Sequence, residues 1–312
     1  MEPVMGTEGG LSVCLDLPVR AFARWEDWLD GHAISELGAA LDSSGIGAVS
    51  VSDHPVPPDS WLGVGGHQSM DPFAFLSHLA ACSSRVRLLT NLIVAGYRSP
   101  FVTAKAAATV DVLSQGRLIL GMGAGYVADE FGAVGADFGR RGREFDAAIG
   151  GIRASWTGES FAPSAGGPTH TVLPRPRQVP GPPIWIGGNS AAARRRAARL
   201  GDGWIPFLQS PEQAAVTGTD ALQSLDEVAD RVGHLNEMAR EAGRTAPLDV
   251  CLSATRGDTA DAFADYVTAS GPECVEAGVT WLLWQPYAKT FKSLIDQVYV
   301  LGQSLGVTSD RR

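Results

Sequence analysis

Short apolar runs alternate with longer amphipathic stretches along the whole chain. The apolar runs are LSVCLDL (11–17), GAVSVSD (47–53), VRLLTNLIV (86–94), RLILGMG (117–123), PIWIGG (183–188), GWIPF (203–207), LDVCLSA (248–254) and VTWLLWQ (279–285). Each has the length and the near-continuous apolar character of a strand covered on both faces. The stretches between them carry helix punctuation. HAISELGAALDSSG closes on Gly45, DPFAFLSHLAACSS opens with Asp71 as N-cap and Pro72 at the first position, and SPFVTAKAAATVDVLSQG repeats the grammar with Ser99, Pro100 and Gly116. Parallel strands need crossovers, and every crossover here has helical period. Eight such units predict an α/β fold, a (β/α)8 TIM barrel, with an open doubly wound sheet as the alternative.

Three stretches interrupt the rhythm. WLGVGGHQSM follows the second strand, and FLQSPEQAAVTGTDALQS, part loop and part helix, follows the sixth. TGESFAPSAGGPTHTVLPRPRQVPGPP, over 157–183, is too rich in Pro and Gly for a regular element and is long for a structureless connection. It is expected to be an insertion or lid loop within one barrel domain spanning 1–312. All three are expected at the carboxyl face, where barrel enzymes build their sites.

Composition narrows the partners. A chain of 312 residues, 45% hydrophobic and 19% charged, can bury a large core. A formal charge of -9 opposes attraction to nucleic acid and to anionic lipid surfaces, so neither is expected as a partner. Cys14, Cys82, Cys251 and Cys274 lack C-x-x-C or metal-ligand spacing and read as buried thiols, and no bound metal is expected. MEPVMGTEGG has neither a basic n-region nor an apolar h-region, and no membrane-length apolar run follows. A cytoplasmic enzyme acting on a small molecule is the expectation.

The candidate chemistry gathers at strand ends. VSVSDHPVPP, 49–58, ends a buried strand in Asp53 and His54 and then in prolines that stop the ladder. The acid there reads either as a turn cap or as a ligand-facing group at a barrel mouth. IGGNSAAARRRAARLGDGWIP, 186–206, passes from strand through Gly187 and Gly188 to a helix start, where exposed N–H groups favour an anion. Arg194, Arg195 and Arg196 span too wide an arc for all to reach one ligand. LILGMGAGYVADEF, 118–131, is G-x-G-x-G and lacks the dinucleotide fingerprint. His78 sits in an apolar helix and reads as a packing residue, Trp185, Trp204, Trp281 and Trp284 as core or pocket wall. No G-x-S-x-G elbow or H-x-x-x-H pair occurs.

The run DPFAFLSHLAACSSRVRLLTNLIVAGYRSPFVTAKAAATVDVLSQGRLILGMGAGYVADEFGAVG resembles the luciferase-like flavin and deazaflavin oxidoreductases. SDH after the second strand and PPIWIGG followed by RRAARLGDGW strengthen the likeness, which is specific over about residues 46–206. The resemblance implies a bacterial luciferase-like barrel and a cofactor that is coenzyme F420, a deazaflavin, or alternatively FMN. The Ser-Asp-His form is similar to the deazaflavin branch. It implies that Asp53 contacts the cofactor ring system and that His54 is catalytic beside the reacting carbon. The resemblance further implies a cis-peptide bulge supporting the ring at Thr90, Asn91 and Leu92, and contacts from Ala124, Gly125 and Asp129. It sets the cofactor phosphate at Gly187, Gly188, Ser190 and Ala191, and implies a homodimer.

The sugar-phosphate dehydrogenases of this family carry a Glu after the fourth-strand glycines. Tyr126 stands there in this chain, and DGWIPFLQS has no Lys, so a sugar-phosphate substrate is not implied. Tyr126 and Trp284, with Gln285, Pro286, the loop at 59–69 and the 157–183 insertion, are the expected pocket lining. That set points to an apolar or weakly polar organic substrate. Three functions follow: an F420-dependent oxidoreductase moving a hydride, a reduced-FMN monooxygenase using oxygen, and a non-catalytic flavin-binding barrel.

Overall fold

The computed structural model describes residues 10–18, 31–253 and 257–306. Its strands are β1 (Ser12–Asp16), β2 (Ala48–Val51), β3 (Arg87–Thr90), β4 (Ile93–Val94), β5 (Leu118–Gly123), β6 (Ile184–Gly187), β7 (Gly203–Ile205), β8 (Asp249–Ser253) and β9 (Trp281–Trp284). Its helices are α1 (Gly31–Ser44), α2 (Asp59–Leu62), α3 (Pro72–Cys82), α4 (Pro100–Leu113), α5 (Ala128–Ala133), α6 (Arg141–Trp156), α7 (Ala191–Leu200), α8 (Pro211–Thr217), α9 (Leu225–Glu241), α10 (Ala260–Glu276) and α11 (Phe291–Ser304).

Every ladder is parallel, and the sheet closes because β1 pairs with β2 on one side and β9 on the other, while β3 meets β5. β3 and β4 are two halves of one stave, interrupted at Asn91–Leu92, where the peptide bond is cis. Beyond the break the chain rejoins the ladder with Ile93 opposite Met122. The result is a closed eight-stave (β/α)8 barrel, as the alternation of apolar runs predicts.

Two packed layers hold it. Cys14, Leu89, Ile119, Trp185, Cys251, Trp281 and Leu283 fill the barrel interior, with the Trp185 and Trp281 rings 5.6 Å apart in edge contact. A larger layer, including Leu37, Leu76, Ile149, Trp204 and Leu301, seals the helices onto the outside of the sheet. Strand side chains alternate between these layers, which is why runs apolar at both parities were legible as strands. Asp71 caps α3 by accepting from the Ala74 N–H, with Pro72 as its first residue.

Three expectations change. His78 lies exposed on α3, its Nε2 3.2 Å from the Gly31 carbonyl, because the apolar stripe of that helix leaves position 78 outside. Cys82 is half-buried, whereas Cys14, Cys251 and Cys274 are buried, and all four are free thiols. The 157–183 segment connects a helix to the next strand, so it starts from the opposite end of the barrel to the βα loops. It runs along the outside of α4: Phe161 packs on Phe101, Lys105 bonds the Leu173 carbonyl, and Gln178 donates to Asp111 and to the Leu118 carbonyl.

Candidate active site

The second stave ends where Asn91 donates to the Val51 carbonyl at 2.7 Å, and the chain then turns outward through Ser52, Asp53 and His54. Asp53 is 2% exposed. Its carboxylate takes both Arg98 guanidinium nitrogens, at 2.5 and 2.7 Å, and the Val94 N–H at 3.2 Å. It thereby ties the end of β2 to β4 and to the approach of α4. His54 turns to a different partner, its Nδ1 3.0 Å from Glu130 Oε2, while its N–H donates to Ser69 Oγ at 2.8 Å. Pro55 directs the backbone so that the next N–H, from Val56, reaches the other Glu130 oxygen at 3.1 Å.

Glu130 is the hub of this network. Its side chain is buried and also accepts from the Tyr97 hydroxyl at 2.9 Å. Burial works against its charge, but the hydrogen bonds from His54, the Val56 N–H and Tyr97 outweigh it and hold the carboxyl below its ordinary range. Burial, followed by the bond to Glu130, pushes the Tyr97 phenol up. An ionised carboxylate only accepts, so His54 carries its proton on Nδ1 in this arrangement and keeps Nε2 for other work. Glu130→Leu strands these donors in a buried site, and is expected to cost about 1–3 kcal/mol of unfolding free energy, whereas Glu130→Gln retains an acceptor and costs less. Urea denaturation of the two variants measures the difference.

Two cavities open at this end of the barrel. The first, about 230 Å³, is lined by Asp16, Ser52, His54, Asn91, Tyr97 and Gln285 among others, with Asp53 at its edge. The second, about 310 Å³, is lined by Ala124, Arg141, Gly187, Gly188, Ser190 and Arg196 with the α8 segment up to Thr219. Leu92, Gly123, Gly125 and Tyr126 line both, so the spaces adjoin. Leu92 lies over Gly187, where a Cβ would collide with its Cδ1. Gly188 has φ +110°, a conformation that glycine adopts without strain. α7 then starts at Ala191, capped by Ser190 Oγ accepting from the Ala193 N–H at 3.2 Å.

Each cavity is lined by a residue whose own hydroxyl is buried and unpaired among the described residues. Ser52 Oγ in the first and Thr219 Oγ1 in the second are buried, with no hydrogen-bond partner among the described residues. Buried polar atoms are seldom left so, and both belong to residues that line these adjoining cavities. The Trp61 ring lies 4.5 Å from that of His54 and 6.2 Å from that of half-exposed Tyr126, two residues that line the first cavity.

Most of the residues read from the sequence gather here, and some do not. His54, Asp53, Asn91, Leu92, Ala124, Gly125, Tyr126, Gly187, Gly188 and Ser190 line one cavity or both. Thr90 lies beneath, buried, bonding the Gly121 carbonyl. Ala191 and Asp129 are exposed and outside both linings, and one helical step rotates the adjacent Glu130, rather than Asp129, into the site. Trp284 is 1% exposed, stacked on Phe263 and donating to the Gly257 carbonyl, so Gln285 lines the cavity in its place. Of the three consecutive arginines only Arg196 faces the second cavity; Arg194 pairs with Asp220. None of 157–183 lines either space.

Residues the sequence reading passed over are Asp16, Arg98, Glu130 and Arg141. Asp16 had a signal: it is the acid in LSVCLDL, at the carboxyl end of an apolar strand.

The luciferase-like monooxygenase family model matches residues 29–270. An uncharacterised protein of Mycobacterium tuberculosis (strain ATCC 25618 / H37Rv) is 28% identical over 241 residues, covering 72% of this chain and 77% of that protein. A phthiodiolone/phenolphthiodiolone dimycocerosates ketoreductase of the same strain is 32% identical over 193 residues, covering 60% of this chain and 47% of that protein. Among solved structures, monooxygenase RslO1 of Streptomyces bottropensis superposes with a TM-score of 0.70 at 19% identity, over 95% of this chain and 98% of that one. The coenzyme F420-dependent tetrahydromethanopterin reductase of Methanopyrus kandleri does so with a TM-score of 0.65 at 16% identity, over 94% and 98%. At these identities the two structures share the fold, and it is the family match over most of the sequence that decides membership: this chain belongs to the luciferase-like monooxygenase family, an oxidoreductase family.

Proposed function

We propose that this protein is an F420-dependent oxidoreductase that moves a hydride between the deazaflavin and a small organic substrate. The observation that carries the reading is the pair of adjoining cavities, one lined by His54 and the other at a helix start flanked by Arg141 and Arg196. That shape suits a flat ring joined to a phosphate-bearing chain. The ring would lie against Asn91 and Leu92, with Ala124 and Gly125 beside the linking chain. The phosphate would meet the backbone of Gly188 and Ser190 and the guanidinium of Arg141. The cofactor supplies the hydride, and the protein supplies position and a proton route through His54. The Ser-Asp-His sequence favours F420 over FMN, and the likeness to a ketoreductase favours a carbonyl substrate over molecular oxygen.

Turnover with each reduced cofactor tests this. Oxidation of reduced F420 by a carbonyl compound is the expected result, and oxygen consumption with reduced FMN would replace it with a monooxygenase. The phosphate site has its own test. Arg141→Gln is expected to weaken F420 binding about tenfold, roughly 1.4 kcal/mol, and to leave the phosphate-free deazaflavin chromophore unaffected. Equal weakening of both ligands in a fluorescence titration would move the phosphate elsewhere.

A further inference from the structure

Asp16 closes β1 at the floor of the first cavity, where nothing in the reading above uses it. Its carboxylate is held from three directions: Ser50 Oγ donates at 2.5 Å from β2, Asn91 Nδ2 at 3.4 Å from the third stave, and Gln285 Nε2 at 2.9 Å from the end of β9. The first two reach one oxygen and Gln285 the other, so the second oxygen keeps capacity for a further bond. All three partners are neutral. This contrasts with Asp53, which is matched by the Arg98 guanidinium.

We propose that Asp16 exchanges a proton with the oxygen of a small carbonyl or alcohol substrate, and that this exchange selects the substrate class. The inference rests on the hydride-transfer reading for its chemistry and on the geometry of Asp16 for its place. In carbonyl reduction the carbon gains a C–H bond, the C–O π pair moves to oxygen, and that oxygen takes the proton as the O–H bond of Asp16 breaks. The hydride comes from reduced deazaflavin, which is thereby oxidised and also gives up one proton to solvent. The Asp16 carboxylate recovers its proton from solvent, so the balance closes. Alcohol oxidation runs the same exchange backwards, with the ionised carboxylate accepting from the hydroxyl.

The setting agrees. Burial pushes the Asp16 carboxyl up to about 6, against the hydrogen bonds from Ser50, Asn91 and Gln285, so both protonation states are accessible near neutral pH. The titratable groups sharing the cavity are Asp53, His54, His67, Tyr97 and Tyr126, and below lie the thiols of Cys14 and Cys251, which burial pushes up. A raised carboxyl means that the folded protein binds the proton more tightly than the unfolded chain does. The group is therefore favourable to folding at low pH, loses that advantage as pH rises from about 4 to 6, and opposes folding above that.

The test uses Asp16→Asn, a neutral isostere, with Asp16→Glu as the variant that restores a carboxyl. A short ketone labelled with ¹³C at its carbonyl, bound to cofactor-free protein at pH 5, is expected to show a carbonyl stretch lowered by hydrogen bonding. The lowering is absent in Asp16→Ala, which offers no donor. Melting temperature follows the same group: Asp16→Asn melts above the parent at pH 7.5, and the gap shrinks at pH 5. With reduced F420, Asp16→Asn is expected to lose roughly 10²-fold in turnover, and Asp16→Glu to recover part of it. An unchanged carbonyl band in the Ala variant, or a melting difference between the parent and Asp16→Asn that is independent of pH, overturns the assignment. A lowered band that depends on Asp16, without turnover on reduced F420, upholds the assignment and refutes the cofactor reading instead.

Discussion

Replacing His54 by Ala is expected to leave cofactor affinity within a few-fold of the parent and to reduce turnover by roughly 10²-fold or more. The expectation follows from what the imidazole touches. It lines the first cavity with its side chain only 10% exposed, and Glu130 holds it through Nδ1. A second acceptor for the Val56 N–H and the Tyr97 hydroxyl is not needed when the ring is removed, because both already bond Glu130 directly. The fold of the loop therefore survives the substitution, and what is lost is a ring that can give or take a proton beside the ligand. Single-turnover kinetics with prebound cofactor separates affinity from rate. Parental turnover in His54→Ala would make the motif a turn cap with no chemical part.

The second large effect concerns stability. Arg98→Ala is expected to cost about 3–5 kcal/mol, because it leaves the buried Asp53 carboxylate with the Val94 N–H as its remaining donor among the described residues. Asp53→Ala removes the same pair from the other side, and Arg98 keeps a weaker partner in Asp71 at 3.7 Å. The double variant should therefore cost less than the sum of the singles, by an amount that urea denaturation of all four proteins measures. Additive costs under about 1 kcal/mol would mean that the pair contributes little. The resemblance gives Asp53 a contact to the cofactor ring. Its two guanidinium bonds add a structural part, so a loss of cofactor binding in Asp53→Ala must be read against the stability of that variant.

The barrel was legible because its strands are apolar at both parities and its helices carry punctuation, and neither feature depends on distant contacts. Asp71 with Pro72 marks α3 unambiguously, and the interruption at Asn91–Leu92 lies in one apolar run that still reads as a single strand. Within the site, strand-end motifs were legible for the same reason: His54 and Gly188 sit where an apolar run stops. Groups on the helical connections were not. Asp129 and Glu130 are equally acidic and adjacent, and only the phase of a six-residue helix decides which one meets His54. Trp284 and Gln285 differ likewise, since strand parity sends the indole into the outer layer against Phe263. The 157–183 segment was misplaced because a Pro- and Gly-rich composition says that a connection is irregular, and says nothing about which end of the barrel it leaves. Asp16 was passed over because the run around it is apolar, although a carboxylate there is the more telling for its surroundings.

The central claim is that one ligand spans both cavities, its ring beside His54 and its phosphate at the start of α7. A crystal structure of the protein with F420 tests it most directly. The account predicts the ring against Asn91 and Leu92, Ser52 Oγ and Thr219 Oγ1 both within hydrogen-bond reach of the ligand, and the phosphate on the backbone after Gly188. A ring outside the first cavity, or a phosphate remote from α7 with both hydroxyls still unpaired, would contradict it.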